Sequence, residues 1–233
     1  AKQAMHAFWG VGQMSFVKHA VFVGEDAPDL SDYGALAEHI LNRFGKNALL
    51  ISEGVCDQLD HASPNSCFGG KLGIDATQDF SAPAPALLDN AALLAKFKEI
   101  ESSLTQLVQF KTNTKTPICV VKFDKNRLVK EVFEELLKFK EHFKLLVFVG
   151  PENRLENPYM LLWRVTNNID ALRDIYVREG AVCIDATAKG DAEGYTRGWP
   201  LQTDCDRDVV ADLVKRGIVK EEPELFSKFE IFG

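Results

Sequence analysis

The chain has 233 residues, 46% hydrophobic and 26% charged, enough to bury the core of one large domain or two small ones. A formal charge of −7 argues against a nucleic-acid partner, whose phosphates require a surplus of lysine and arginine. Five cysteines without a Cys-x-x-Cys pair point away from a disulfide framework and toward reduced thiols in a cytosolic protein; no apolar run approaches membrane-spanning length.

Residues 2–17 carry Met5, Phe8, Trp9, Met14 and Phe16 at a helical spacing loosened by Gly10 and Gly12. A buried strand is expected at 20–23, then a helix capped by Ser31 or Asp32 and running to about Phe44, then a second buried strand at 48–51. Residues 54–73 form the one dense polar cluster and read as a loop at a strand's carboxyl end, where open α/β sheets build their sites. Ser-Ala-Pro-Ala-Pro-Ala at 81–86 reads as a linker. From 87 to 110, Leu93, Leu94, Phe97, Ile100, Leu104, Leu107 and Val108 suit one amphipathic helix. Beyond it the pattern predicts strand 117–123, helix 127–143, strand 145–149, helix 158–170 and strand 174–178. A helical tail follows at 206–216, acidic at its start and basic at its end. Phe226, Phe229, Ile231 and Phe232 are too apolar for a solvated terminus, so they are expected to dock on the domain or on a neighbouring subunit.

One block occurs twice, 126 residues apart. Ala-Val-Phe-Val-Gly at 20–24 aligns with Leu-Val-Phe-Val-Gly at 146–150, and the register holds without a gap until Glu53-Gly54 falls on Glu179-Gly180. Both copies then reach Ile-Asp-Ala-Thr, at 74–77 and 184–187, with sixteen extra residues in the first. The expected fold is therefore α/β, a mainly parallel sheet with flanking helices built from two duplicated βαβ-type half-domains. The first repeat spans 1–80, a linker and helix 81–116, the second repeat 117–200, and the helical tail 201–233. Strand 117–123 precedes the second copy. Its counterpart in the first copy would lie before residue 1, so the chain reads as the C-terminal piece of something longer.

Within the polar cluster, Cys56, Asp60 and His61 offer an acid-base or metal set, and Gly69-Gly70-Lys71 offers an anion contact. The competing reading is a surface loop whose Asp and Ser side chains satisfy local backbone. Metal is disfavoured without a second His or Cys at ligand spacing, and the Gly-Gly-Lys lacks the spaced glycine of a Walker loop. Lys18 and Lys144 share a repeat position before a strand, which suits a structural role. Trp163 reads as core with Arg164 solvated or capping; His6, Trp9 and Met14 also read as core. Residues 195–200 form a compact aromatic turn able to lock the tail.

Several of these stretches carry a family resemblance. Ala-Phe-Trp-Gly-Val-Gly-Gln-Met-Ser-Phe-Val-Lys at 7–18, Leu-Asp-His-Ala-Ser at 59–63 and Gly-Gly-Lys-Leu-Gly-Ile-Asp-Ala-Thr at 69–77 resemble the C-terminal domain of UbiD-type decarboxylases. Further matches lie in the second copy, at residues 162–170 with Arg173-Asp174, and at Glu193-Gly194-Tyr195-Thr196-Arg197 with Trp199-Pro200. The chain looks most like the branch serving menaquinone synthesis by the futalosine route, whose substrate is a dihydroxynaphthoate. The resemblance implies part of a carboxy-lyase of menaquinone or ubiquinone biosynthesis that uses prenylated FMN and a divalent metal. It places both cofactors, with the catalytic groups, in a preceding domain that no segment here matches. This chain alone would then be inactive, with no catalytic, cofactor or metal residue of its own. Its implied partners are the N-terminal and flavin-binding domains of the same protein and further copies reached through the tail. It would be cytoplasmic, at most peripheral to a membrane. By position, the loop facing the substrate pocket would comprise Val55, Cys56, Asp57, Leu59, Asp60 and His61, with Lys71 beside it. The alternative is a non-catalytic oligomerisation domain or a small-molecule or phosphate-binding domain.

Overall fold

The structure, a computed structural model, describes residues 1–201 and 205–230. Helix α1 (Lys2–Trp9) and a 3-10 turn (Gly12–Phe16) lead into β1 (His19–Val23), α2 (Tyr33–Leu41), β2 (Leu49–Val55) and β3 (Phe68–Ala76). Next come α3 (Asn90–Lys98), β4 (Leu104–Phe110), β5 (Ile118–Phe123) and α4 (Val129–Leu136), which continues as a 3-10 turn (Leu137–His142) into β6 (Leu145–Val149). Helix α5 (Pro158–Asn168) and the single turn α6 (Ala171–Asp174) precede β7 (Ile175–Arg178) and β8 (Ala181–Asp185); α7 (Arg207–Lys215) and α8 (Pro223–Phe229) follow.

The strands form two mixed sheets rather than one mainly parallel sheet. A three-stranded sheet has the order β1-β3-β2 and a five-stranded sheet the order β4-β5-β6-β8-β7. The pairs β1/β3, β5/β6 and β6/β8 are parallel, whereas β2/β3, β4/β5 and β7/β8 are antiparallel. The expectation of plain βαβ units failed because the return strands β3 and β8 were not foreseen. Each inserts between the strands on either side of its crossover helix and pairs antiparallel with the one immediately before it in the chain.

Pairing follows the sequence correspondence closely. Ala20 pairs with Gly73 and Leu146 with Cys183; Leu49 pairs with Ile74 and Ile175 with Ile184. Each partner is shifted by the offset the sequence shows, 126 for the earlier strands and 110 for the return strand. The repeated Ile-Asp-Ala-Thr does the same work twice. Asp75 Oδ1 accepts from Thr77 N at 3.0 Å and Thr77 Oγ1 at 2.7 Å; Asp185 Oδ1 accepts from Thr187 N at 3.0 Å and Thr187 Oγ1 at 2.6 Å. These side-chain bonds satisfy backbone donors where each ladder ends.

The expected helix 87–110 is two elements. Asp89 caps α3 through Ala92 N, and beyond the helix Glu101 Oε1 accepts from Ser103 N and Oγ, turning the chain into β4. A register shift between Leu104 and Gln106 lets Leu104 and Leu107 face the same way, so a strand displays the three-residue spacing that imitates a helix. Likewise the polar stretch 54–73 is the end of β2, a loop at 56–67 and the start of β3, not one long loop.

The two sheets pack face to face. Leu49, Ile51, Leu72 and Ile74 meet Ile118, Leu145, Ile175 and Val182, closed by Leu41 and Phe44 from α2 and its end. On the far side of the five-stranded sheet, Val121, Leu146 and Phe148 pack under Phe97 of α3 and Val132 and Phe133 of α4. On the far side of the smaller sheet, α1 buries Met5 over Gly73 and sets Phe8 edge-on to Phe22, ring centroids 6.1 Å apart. His6 and Met14, expected in the core, are exposed. Residues 81–86, expected as a linker, carry no regular secondary structure.

The tail docks on its own domain. Asn157 caps α5 by accepting from Met160 N and donates its amide to Ser227 O and Lys228 O of α8. Arg164, expected to be solvated, is 9% exposed and pairs with Glu230 at 2.7 Å, whereas Trp163, expected in the core, is 49% exposed. Tyr159 stands edge-on to Phe229. Ile231 and Phe232 lie outside the described residues.

Candidate functional site

A cleft of about 610 Å³ opens where the loop 56–67 and the start of β1 face the end of α5; Phe16, Lys18, Leu59, Asp60, His61 and Thr166 are among its walls. Its polar groups come from both sequence copies. Lys18, directly before β1, donates to Asp60 Oδ1 and Oδ2 at 2.9 and 3.1 Å, to Ser63 Oγ at 3.2 Å and to the Ile169 carbonyl at 3.1 Å. Burial alone would raise the Asp60 carboxyl, but hydrogen bonds from Ser63 and Lys18, and the Lys18 charge, hold it below the ordinary carboxylate value.

His19 donates Nε2–H to the Thr166 carbonyl at 2.9 Å, leaving Nδ1 buried without a partner among the described residues. Burial, reinforced by the neighbouring Lys18 charge, lowers its pKa despite the bond to Thr166, so it stays neutral. His61 Nε2 meets Asn168 Oδ1 at 3.2 Å, and its backbone carbonyl accepts from Tyr195 Oη at 2.6 Å. Arg197 donates to the carbonyls of Asp60 and Ser63 at 3.0 and 2.9 Å, and Trp199 stands edge-on to the His61 ring at 5.1 Å. The aromatic turn at 195–200 therefore locks this loop rather than the tail.

Asp170, 1% exposed, ties the back of the loop to β3. Its Oδ2 accepts from Gly70 N at 2.7 Å and Ser63 Oγ at 2.9 Å, and Oδ1 caps α6 through Leu172 N at 3.1 Å. Asp174 accepts from Asp170 N at 2.8 Å and holds Arg173 in two 2.7 Å bonds. Behind these sits Lys189, fully buried and paired with Asp185 at 3.0 Å; burial lowers its pKa, and burial raises that of Asp174.

The predicted loop residues divide into anchors and rim. Asp60 and His61 are half-buried anchors. Asp57 and Leu59 form the exposed rim, Leu59 at 89%, and Val55 is exposed on the last residue of β2. Cys56 is buried, its thiol against Gly54 O and Ser63 Oγ, so it does not line the cleft. Lys71 is 1% exposed inside β3 and gives its ammonium to the carbonyls of Ser15, Val17 and Val55, so it braces the 3-10 turn rather than facing the cleft. Burial lowers its pKa. The sequence reading missed His19, Thr166 and Asn167 as cleft groups and Asn168 as the partner of His61. The Lys18/Lys144 correspondence was a usable signal, because only Lys18 gained an acidic partner in the inserted loop.

These residues fit neither a flavin phosphate nor a metal. The Lys18 ammonium already meets four acceptor atoms, and among the described residues no group of three or more His, Cys, Asp or Glu could hold a metal ion. No helix among the described residues is long and apolar enough to cross a membrane.

Residues 1–76 match the family model described as the 3-octaprenyl-4-hydroxybenzoate carboxy-lyase C-terminal domain, so the chain has UbiD-type domain similarity over that stretch. Across 233 residues it is 50% identical to an uncharacterised protein of Helicobacter pylori strain 26695, covering 99% of this chain and 38% of that protein. An uncharacterised Archaeoglobus fulgidus protein is 34% identical over 80 residues, 34% of this chain and 16% of the other. The chain thus spans 38% of the length of the Helicobacter relatives it matches. Among solved structures, the closed form of Sedimentibacter hydroxybenzoicus vanillic acid decarboxylase gives a TM-score of 0.44 at 16% identity, covering 57% of this chain and 32% of that one. An evolved dimeric form of the UbiD-class enzyme HmfF from Pelotomaculum thermopropionicum, in complex with prFMN, gives 0.42 at 17%, covering 53% and 29%.

Proposed function

We propose that this chain is the pocket-closing and oligomerisation portion of a prenylated-FMN-dependent decarboxylase acting on an aromatic acid of quinone biosynthesis. In that reading the flavin, the metal and the bond chemistry belong to other domains of the same cytoplasmic protein, and this portion is inactive by itself. The observation that carries the proposal is the anchored loop. Asp60, His61 and Ser63 are fixed by Lys18, Asn168, Asp170, Tyr195 and Arg197, while Leu59 is left exposed beside them at the cleft mouth. A rigid base with an apolar tip suits a group that covers a bound aromatic ring and excludes water. Support for the family comes from the match over residues 1–76. The two copies, related by strand register, are read as a duplication in which the second contributes the wall opposite the loop.

A phosphate-binding role for Gly69-Gly70-Lys71 has less support, since Gly70 N–H and the Lys71 ammonium both have internal acceptors. The test is turnover of the full-length protein with prenylated FMN and a dihydroxynaphthoate or a hydroxybenzoate. Leu59→Ser, at a position outside the core, should lower kcat/KM by about tenfold, roughly 1.4 kcal/mol, while flavin binding stays intact. Unchanged kinetics in Leu59→Ser and His61→Ala would leave this portion a packing domain only.

A further inference from the structure

Strand correspondence between the sheets breaks at one place. Strand β6 has neighbours on both sides, β8 and the parallel β5, with Cys119 opposite Leu146, Val120 opposite Val147 and Val121 opposite Phe148. Strand β1, its counterpart 126 residues earlier, pairs only with β3 among the described residues. The other edge that can be compared agrees, because β2 and β7 correspond and both end their sheets. The open side of β1 is therefore not a general property of the unit.

Exposure tells the same story. Val147 is 4% exposed beside Val120, but Val21 is 47% exposed with no strand on its outer side among the described residues. The ladder fixes which groups are unused. Leu72 N donates to Lys18 O at 2.8 Å, as Val182 N donates to Lys144 O at 2.8 Å. In a parallel pair alternate residues bond to the same neighbour, so Ala20 and Phe22 serve β3 while Val21 and Val23 turn their amides and carbonyls outward. This edge carries none of the prolines or lysines that discourage strand pairing. Helix α1 lies over β3 and β1 at the sequence position corresponding to α4, the helix that connects β5 to β6.

We propose that the outer edge of β1 takes up a parallel, apolar, β-branched strand resembling Ile118–Phe123. Its source would be the polypeptide that leads into the α1 segment in the longer proteins, of which this chain matches 38%. A right-handed crossover through α1 would then join the two strands, as α4 joins β5 and β6.

Amide hydrogen exchange on this 233-residue chain and on the intact Helicobacter pylori relative tests the proposal. In the short chain Val21 and Val23 should exchange at least about 100-fold faster than Val147 and Val149, and in the intact protein the matched amides should be comparably slow. Protection of Val21 and Val23 in the short chain, or fast exchange in both proteins, would overturn it. Val21→Pro removes an outward N–H and should leave the melting temperature of the short chain unchanged while lowering that of the intact protein at the matched position. If it unfolds the short chain, the assigned ladder is wrong and the proposal falls with it.

Discussion

His19 shows how one residue links the cleft to pH. It is held neutral in the fold, with its pKa lowered below 6.5 chiefly by burial. The unfolded chain therefore binds the proton more readily, and stability must fall as pH drops through and below that value. His19→Gln should flatten the loss of melting temperature between about pH 7 and 5. The Asp60 contribution has the opposite ionisation but the same trend. Its lowered pKa gives stability that is full above the ordinary carboxylate value and disappears as pH falls toward the folded one, so it lies at lower pH than the His19 window. Thermal melts across this range, on wild type and variant, would separate the two. Cys119 and Cys183 are buried thiols whose pKa values burial pushes well up, which makes them packing groups rather than nucleophiles.

At the scale of elements, the tightest junction is β3 against α6. A Cβ on Gly70 would stand 2.6 Å from Ala171 N, Leu172 N and Asp170 Oδ1, two of them backbone atoms unable to rotate away. Gly70→Ala should therefore cost about 1–3 kcal/mol in urea unfolding, because the loop anchor and the helix turn must separate. The same junction shows what the sequence could convey. Strands β1, β5 and β6 were legible because each is an apolar run bounded by polar turns, α2 because of its Asp32 cap, α7 because of its acidic start and basic end, and α4 and α5 because of their position between apolar strands. Strand β3 was hidden because Gly69, Gly70, Lys71 and Gly73 are poor strand formers in isolation. Their pairing is supported by Asp170 and by carbonyls more than 15 residues away. Strand β4 was hidden by its bulge. In the site, Asp60 and His61 were legible as a polar cluster. Asn168, which meets His61, and Asp170, which holds Ser63 and Gly70, were not, because no local pattern records contacts across 100 to 107 residues.

For the whole molecule, the three apolar clusters are built from the sheets, their helices and the connections between them, and none contains a residue of α7 or α8. A chain ending before Pro223 should keep cooperative unfolding, with its melting temperature within a few degrees of wild type. Where the protein self-associates, removing the whole tail from Asp206 onward should weaken association at least about tenfold by sedimentation, since that segment holds Val209 and Ile218 largely exposed on a short amphipathic helix and its end. Unchanged association would remove the tail from the interface.

The bonds that close the cleft span long stretches of chain: 151 residues from Lys18 to Ile169, 100 from Gly70 to Asp170 and 134 from His61 to Tyr195. Contacts so distant in sequence must wait for both ends and for the loop entropy of everything between. During synthesis the loop carrying Asp60 emerges early, yet its clasp is completed only after the aromatic turn at 195–200 has left the ribosome. The cleft thus matures late, and a nascent chain stalled before Asp170 would hold a three-stranded sheet whose inner face lacks Ile175 and Val182 and whose loop is untethered.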